Sequence, residues 1–146
     1  MRDRRQFLKI LTGAAAASAL GPACGTNEGV AEAKGPVPAG NIRDLPVGAL
    51  TAVSGEPVAI ARDKRGVYAL STVCTHRQCN MENDGNVSEK GLSCGCHGSQ
   101  FDRDGAVVNG PALSPLRHYR VTLNPDGSLV IDAGDEVAPE VRVPVA

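Results

Sequence analysis

The sequence has 146 residues, a formal net charge of −1, no Trp, two Phe and two Tyr. That length is near the common size of one domain with one core, and so few aromatic residues require a core of Val, Leu, Ile and Ala. A charge this close to neutral, with no basic stripe, argues against a nucleic-acid partner.

Arg4-Arg5-Gln6-Phe7-Leu8-Lys9 opens the chain, and the Ala-rich apolar run from Ile10 to Leu20 ends at Gly21-Pro22. This pattern predicts a twin-arginine export signal over residues 1–23. The run falls short of the roughly 20 residues of a membrane-spanning helix, so no strong permanent span is expected; an uncleaved signal acting as a weak anchor is the alternative. Cys24 closes Leu20-Gly21-Pro22-Ala23-Cys24, which resembles the processing site of bacterial lipoproteins except for Pro22. Cys24 is therefore the candidate lipidation residue, against a discarded signal-peptide Cys or a free thiol. Cleavage there would remove Arg2, Arg4, Arg5, Lys9 and Asp3, taking the charge to about −4. Residues 24–41 are rich in Gly, Pro and Ala without an apolar period and read as a flexible linker.

From residue 42 short strands alternate with turns. Gly48 to Val53, Val58 to Arg62 and Val67 to Leu70 are separated by Ser54-Gly55-Glu56-Pro57 and Asp63-Lys64-Arg65-Gly66, with no helical period. Turn chemistry recurs at Asp102-Arg103-Asp104-Gly105 and Asn124-Pro125-Asp126-Gly127, and the alternations Val121-x-Leu123 and Leu129-x-Ile131 predict a closing hairpin. Strands spaced so evenly predict an all-β domain over 42–133, a small antiparallel sandwich or partial barrel. Residues 134–146, with Pro139 and Pro144, read as an extended, loosely held tail.

Two segments interrupt that rhythm. Cys74-x-His76 and Cys94-x-x-His97 each pair one thiol with one imidazole, and two Cys on one iron with two His on the other is a ligand set for a [2Fe–2S] cluster. Zinc also takes tetrahedral sulfur and nitrogen ligands, and plain disulfides with incidental His are a third reading. Zinc sites usually open with Cys-x-x-Cys, however, and disulfides leave the His unexplained.

The segments Cys74-Thr75-His76-Arg77-Gln78-Cys79 and Cys94-Gly95-Cys96-His97-Gly98-Ser99, with Gly110-Pro111-Ala112 as a third loop, resemble the Rieske iron–sulfur proteins from about Pro46 to Ile131. The resemblance implies one [2Fe–2S] cluster on Cys74, His76, Cys94 and His97, with the His near solvent at the tip and the Cys deeper. A second Cys in each loop is similar to the cytochrome bc branch and implies a Cys79–Cys96 disulfide, which would persist in an oxidising compartment. Ser99 matches the position whose hydroxyl donates to a cluster sulfide. Two positions depart from the bc pattern: Phe101 stands where a Tyr hydroxyl is usual, and Arg77-Gln78 where Leu-Gly usually faces a quinone site.

These features point to an exported one-electron carrier, folded before export, working between a redox donor and acceptor in the periplasm or on the outer membrane face. The alternatives are a quinol-oxidising subunit of a bc-type complex or the electron-transfer subunit of a periplasmic oxidoreductase. On any of these readings the chain is not an enzyme by itself and has no catalytic residues. An oxygenase would need a mononuclear iron site of two further His and a carboxylate. Only His118 is left, and it reads as a half-buried or solvated strand residue.

Overall fold

The computed structural model describes residues 29–146. The expected signal over residues 1–23 and the candidate lipidation residue Cys24 lie outside the described residues. Among the described residues ten strands run in chain order: β1 Pro36–Asn41, β2 Leu50–Ala52, β3 Val58–Asp63, β4 Gly66–Ser71, β5 Gly85–Ser88, β6 Gly91–Cys94, β7 Gln100–Phe101, β8 Val107–Asn109, β9 His118–Leu123 and β10 Ser128–Val137. A single helical turn, Met81–Asp84, precedes β5. The expected all-β antiparallel fold is what forms. A six-stranded sheet, ordered β1-β10-β9-β4-β3-β2, carries a four-stranded sheet, β5-β6-β7-β8. Among the described residues no helix is long and apolar enough to cross a membrane.

Local chemistry explains the hairpins. Between β3 and β4 the Asp63 carboxylate accepts the amides of Arg65 and Gly66, an Asx-type turn. Between β9 and β10 Asp126 does the same for Ser128, and Leu129 then faces Leu123 and Ile131 faces Val121, the register that the alternation predicts.

Side chains alternate across the central strands and divide the core in two. Val58, Ile60, Val67 and Ala69 join Val121, Leu129 and Ile131 on one face of the large sheet. Ala59, Ala61, Tyr68 and Leu70 point to the other face, where they meet Met81, Leu92, Phe101, Cys74 and Cys94. The second core therefore sits between the large sheet and the small one, and Cys74 and Cys94, the two free cysteines among the described residues, belong to it.

Three expectations change. The linker reading ends too late, because β1 pairs with β10 from Pro36 onward and Ala33 is already buried in the first core. The tail is not loose: β10 runs to Val137, and Val143 exchanges both backbone hydrogen bonds with Val67. His118 is buried, at 2 % exposure. It stacks on Tyr68, and its Nε2 lies 2.8 Å from the Asp104 carbonyl. Burial, aided by the charge of Arg142, holds its pKa below the ordinary value despite the Asp104 contact.

Candidate metal centre

Two loops at one end of the small sheet close in the same way. In loop 1, residues 74–79, the Cys74 amide donates to the Cys79 carbonyl at 2.9 Å and the Gln78 amide to the Cys74 carbonyl at 2.8 Å. In loop 2, residues 94–99, Cys94 donates to Ser99 at 2.8 Å and Gly98 to Cys94 at 3.0 Å. Each turn needs a left-handed residue at its fifth position. Loop 2 supplies Gly98, φ 84°, whereas loop 1 supplies Gln78, φ 59°, the sole non-glycine residue with positive φ among the described residues. A side chain there costs on the order of 1 kcal/mol or more.

The bases of the loops are fixed by buried polar groups. Thr72 Oγ1 donates to Asn80 Oδ1 at 2.8 Å, and the Val73 amide donates to Ser71 Oγ at 3.0 Å. The third loop covers the side: the Ala112 amide donates to Ser99 Oγ at 3.0 Å, and Thr75 Oγ1 donates to the Ser114 carbonyl at 2.6 Å. Ser99 is fully buried. Its hydroxyl proton finds no acceptor among the described residues.

This folding brings Cys74, His76, Cys94 and His97 to one place. Cys74 and Cys94 are buried at 0 % and 3 % exposure, while His76 is half-buried and His97 exposed. The two imidazoles meet edge to face, ring centroids 4.7 Å apart. Cys79 and Cys96 are joined as a disulfide, Cα–Cα 6.7 Å, and their sulfurs lie within 4.8 Å of Cys94 Sγ. Phe101, 3 % exposed, packs in the same apolar cluster as the two free cysteines.

The donor set fits a metal cluster on the structure's own terms. His76 Nδ1 is buried with no hydrogen-bond partner among the described residues, a state that costs free energy unless something else binds it. Burial, and the neighbouring Cys74 thiol, push the Cys94 thiol above its ordinary value against the amide donors of Cys96 and His97. A metal bound there would favour the thiolate form. Cys79 and Cys96 are paired with each other.

Sequence reasoning missed the stretch before β1. Glu32 Oε2 accepts hydrogen bonds from Ser71 Oγ at 2.6 Å and Tyr119 Oη at 2.7 Å, and burial with this carboxylate raises the Tyr119 phenol well above its ordinary value. No periodicity marks Glu32, because both of its partners are distant in sequence.

Comparison with known proteins agrees with this geometry. The family model described as the Rieske [2Fe-2S] domain matches residues 35–120. The cytochrome b6-f complex iron-sulfur subunit of Synechococcus elongatus is 35 % identical over 161 residues, covering 92 % of this chain and 86 % of that protein. The cytochrome b6-f complex iron-sulfur subunit 2 of Synechocystis is 36 % identical, over 58 % of this chain and 47 % of that protein. Among solved structures, the cyanobacterial plasma membrane Rieske protein of Synechocystis PCC 6803 superposes with TM-score 0.50 at 24 % identity, over 66 % of this chain and 99 % of that one. That likeness is one of fold. With the matched domain, the near full-length relatives and a site of two buried thiols beside two imidazoles, the chain belongs to the Rieske [2Fe–2S] family and is an electron-transfer protein built on one such cluster.

Proposed function

We propose that Cys74, His76, Cys94 and His97 are the cluster ligands, and that the protein passes single electrons between a redox donor and acceptor outside the cytoplasm. The observation that carries this reading is the graded exposure of the four side chains, thiols buried, His76 half-buried and His97 exposed. When bound, the cluster supplies one-electron oxidation and reduction. The protein's part is to exclude water from the sulfur side with Leu70, Met81, Leu92 and Phe101, and to present the His76 and His97 ring edges to a partner. Export is supported by the paired arginines and by a disulfide suited to an oxidising compartment. Cys24 is the proposed lipid attachment.

A second reading, a quinol-oxidising subunit of a cytochrome complex, is favoured by relatives that are cytochrome b6-f subunits over nearly their whole length. Against it stands the docking face. Arg77 is exposed beside His76, and Leu113, on the loop joined to Thr75 through Ser114, is 95 % exposed. An exposed cation beside His76 suits an acidic protein surface better than a lipid-buried quinone pocket.

The test is electron paramagnetic resonance with metal analysis. Reduced protein should contain paired iron and labile sulfide and give the low average g value of an imidazole-ligated cluster, and Cys74→Ser or His97→Ala should abolish it. A zinc-loaded protein without that signal would overturn the ligand assignment. Voltammetry checks the surroundings. Ser99→Ala should lower the reduction potential, since a buried hydroxyl with a free proton stabilises the more negative reduced form, and Phe101→Tyr should raise it. A hydrogen bond to a charged group is worth about 1.5–3 kcal/mol, which caps either shift at about 65–130 mV for one electron. Unchanged potentials in both variants would mean that neither side chain reaches the cluster.

A further inference from the structure

Glu32 is held by two elements at once. Its Oε2 accepts from Ser71 Oγ at the end of β4, 2.6 Å, and from Tyr119 Oη on β9, 2.7 Å. Ser71 Oγ in turn accepts the Val73 amide at 3.0 Å, and Val73 immediately precedes Cys74. With its proton committed to Glu32, the Ser71 hydroxyl can offer only lone pairs to that amide. A carboxylate therefore sets the rotor that anchors the root of loop 1.

The same stretch lies against the far end of the loop. The Val30 amide donates to the Gln78 carbonyl at 2.8 Å. Gly29 is so close that a Cβ would stand 2.3 Å from Gln78 Cβ and 3.1 Å from the Arg77 carbonyl oxygen. Ala33, buried in the first core, fixes the other end. Residues 29–33 thus form a strap across loop 1, with Glu32 as its fastening. Gln78, in its left-handed conformation, is the residue of the loop most inclined to relax elsewhere, and the strap bears directly on it. The cleft beside the strap is lined by Val30, His76, Cys79 and Cys96, so the strap borders the disulfide side of the centre.

We propose that Glu32 is a positioning residue for the [2Fe–2S] centre: by fastening the strap 29–33 across residues 74–79, it keeps loop 1 in the conformation that holds the cluster. This rests on the ligand reading above and not on any choice of redox partner.

The experiment compares Glu32→Ala, Glu32→Gln and Tyr119→Phe in the cluster-loaded full chain. It reads amide hydrogen exchange at Val30 and Val73, cluster lifetime in chelator from visible absorbance, and the midpoint potential. Glu32→Ala should speed exchange at both amides and cluster loss by about tenfold or more, the equilibrium equivalent of one lost hydrogen bond to a charged group, and should shift the potential. Glu32→Gln keeps an oxygen acceptor and should restore most of the wild-type behaviour, and Tyr119→Phe should fall between. Leu129→Ala, in the first core, controls for global destabilisation. Exchange and lifetime unchanged in Glu32→Ala, or effects matched by Leu129→Ala, would overturn the proposal; if Glu32→Ala does not fold, an unaltered Tyr119→Phe does so. Wild-type protein with no visible cluster spectrum would instead overturn the ligand reading, a separate outcome.

Discussion

Cys79→Ser or Cys96→Ser is expected to give protein whose sheets persist but whose cluster decays about a hundredfold faster than in wild type. The bond closes a 17-residue separation, for which the loop-entropy model assigns about 3 kcal/mol. At about 1.4 kcal/mol per tenfold, this becomes roughly two orders of magnitude in the population of opened loops. The cost falls on the site and not on the sheets, because each loop is closed by only two short-range backbone bonds, whereas β3, β4, β9 and β10 are paired along their length. Cys96 is exposed, so reductant can reach the bond. Cys94 Sγ lies within 4.8 Å of both its sulfurs, so movement there is felt at a proposed ligand. Visible absorbance in chelator follows the cluster while far-ultraviolet circular dichroism follows the sheets. Equal lifetimes in wild type and both variants would show that the loops hold without the bridge.

Arg142→Ala should cost about 2–4 kcal/mol and lower the melting temperature by about 10 °C. Its side chain is 4 % exposed, bonded to Asp63 at 2.8 Å and to Asp104, and its guanidinium lies 3.6 Å over the Tyr68 ring. A desolvated cation–π contact is worth about 2 kcal/mol. The ion pairs add less than the 3–5 kcal/mol of a fully buried pair broken on one side, because Asp63 and Asp104 keep 26 % and 55 % exposure. The pH dependence has a definite sign. Burial alone would raise the Asp63 carboxyl, but hydrogen bonds from Arg142 and the Arg65 amide, with the charge of Arg142, hold it below its ordinary value. A depressed carboxylate contributes stability that is complete above its unfolded pKa of about 3.9 and is lost as pH falls through the folded value. The gap between wild type and Arg142→Ala should therefore be full at neutral pH and narrow below about pH 4. A melting difference that stays constant from pH 7 to pH 3 would show that the Asp63 pair contributes nothing.

What the sequence by itself determined is what depends on neighbours along the chain. Asp63 and Asp126 bind amides two or three residues ahead, so both hairpins were legible. The alternations Val121-x-Leu123 and Leu129-x-Ile131 announced the closing hairpin, and the Cys and His spacings marked out the two loops that carry the proposed ligands. The pairing of Cys79 with Cys96 came from resemblance, since spacing alone leaves several pairings open. The tertiary structure decided the rest, because the partners are remote. Glu32 meets Ser71 and Tyr119 across 39 and 87 residues, which turned a polar, aperiodic stretch into a strap. Arg142 meets Asp63 across 79 residues, which pinned a tail with two prolines against β4. At Gly66 a Cβ would stand 2.1 Å from the Val143 carbonyl oxygen, so that turn glycine, readable as a hairpin residue, also makes room for the returning chain. Such contacts leave no local periodicity, for they are selected by which surfaces the packed sheets bring together.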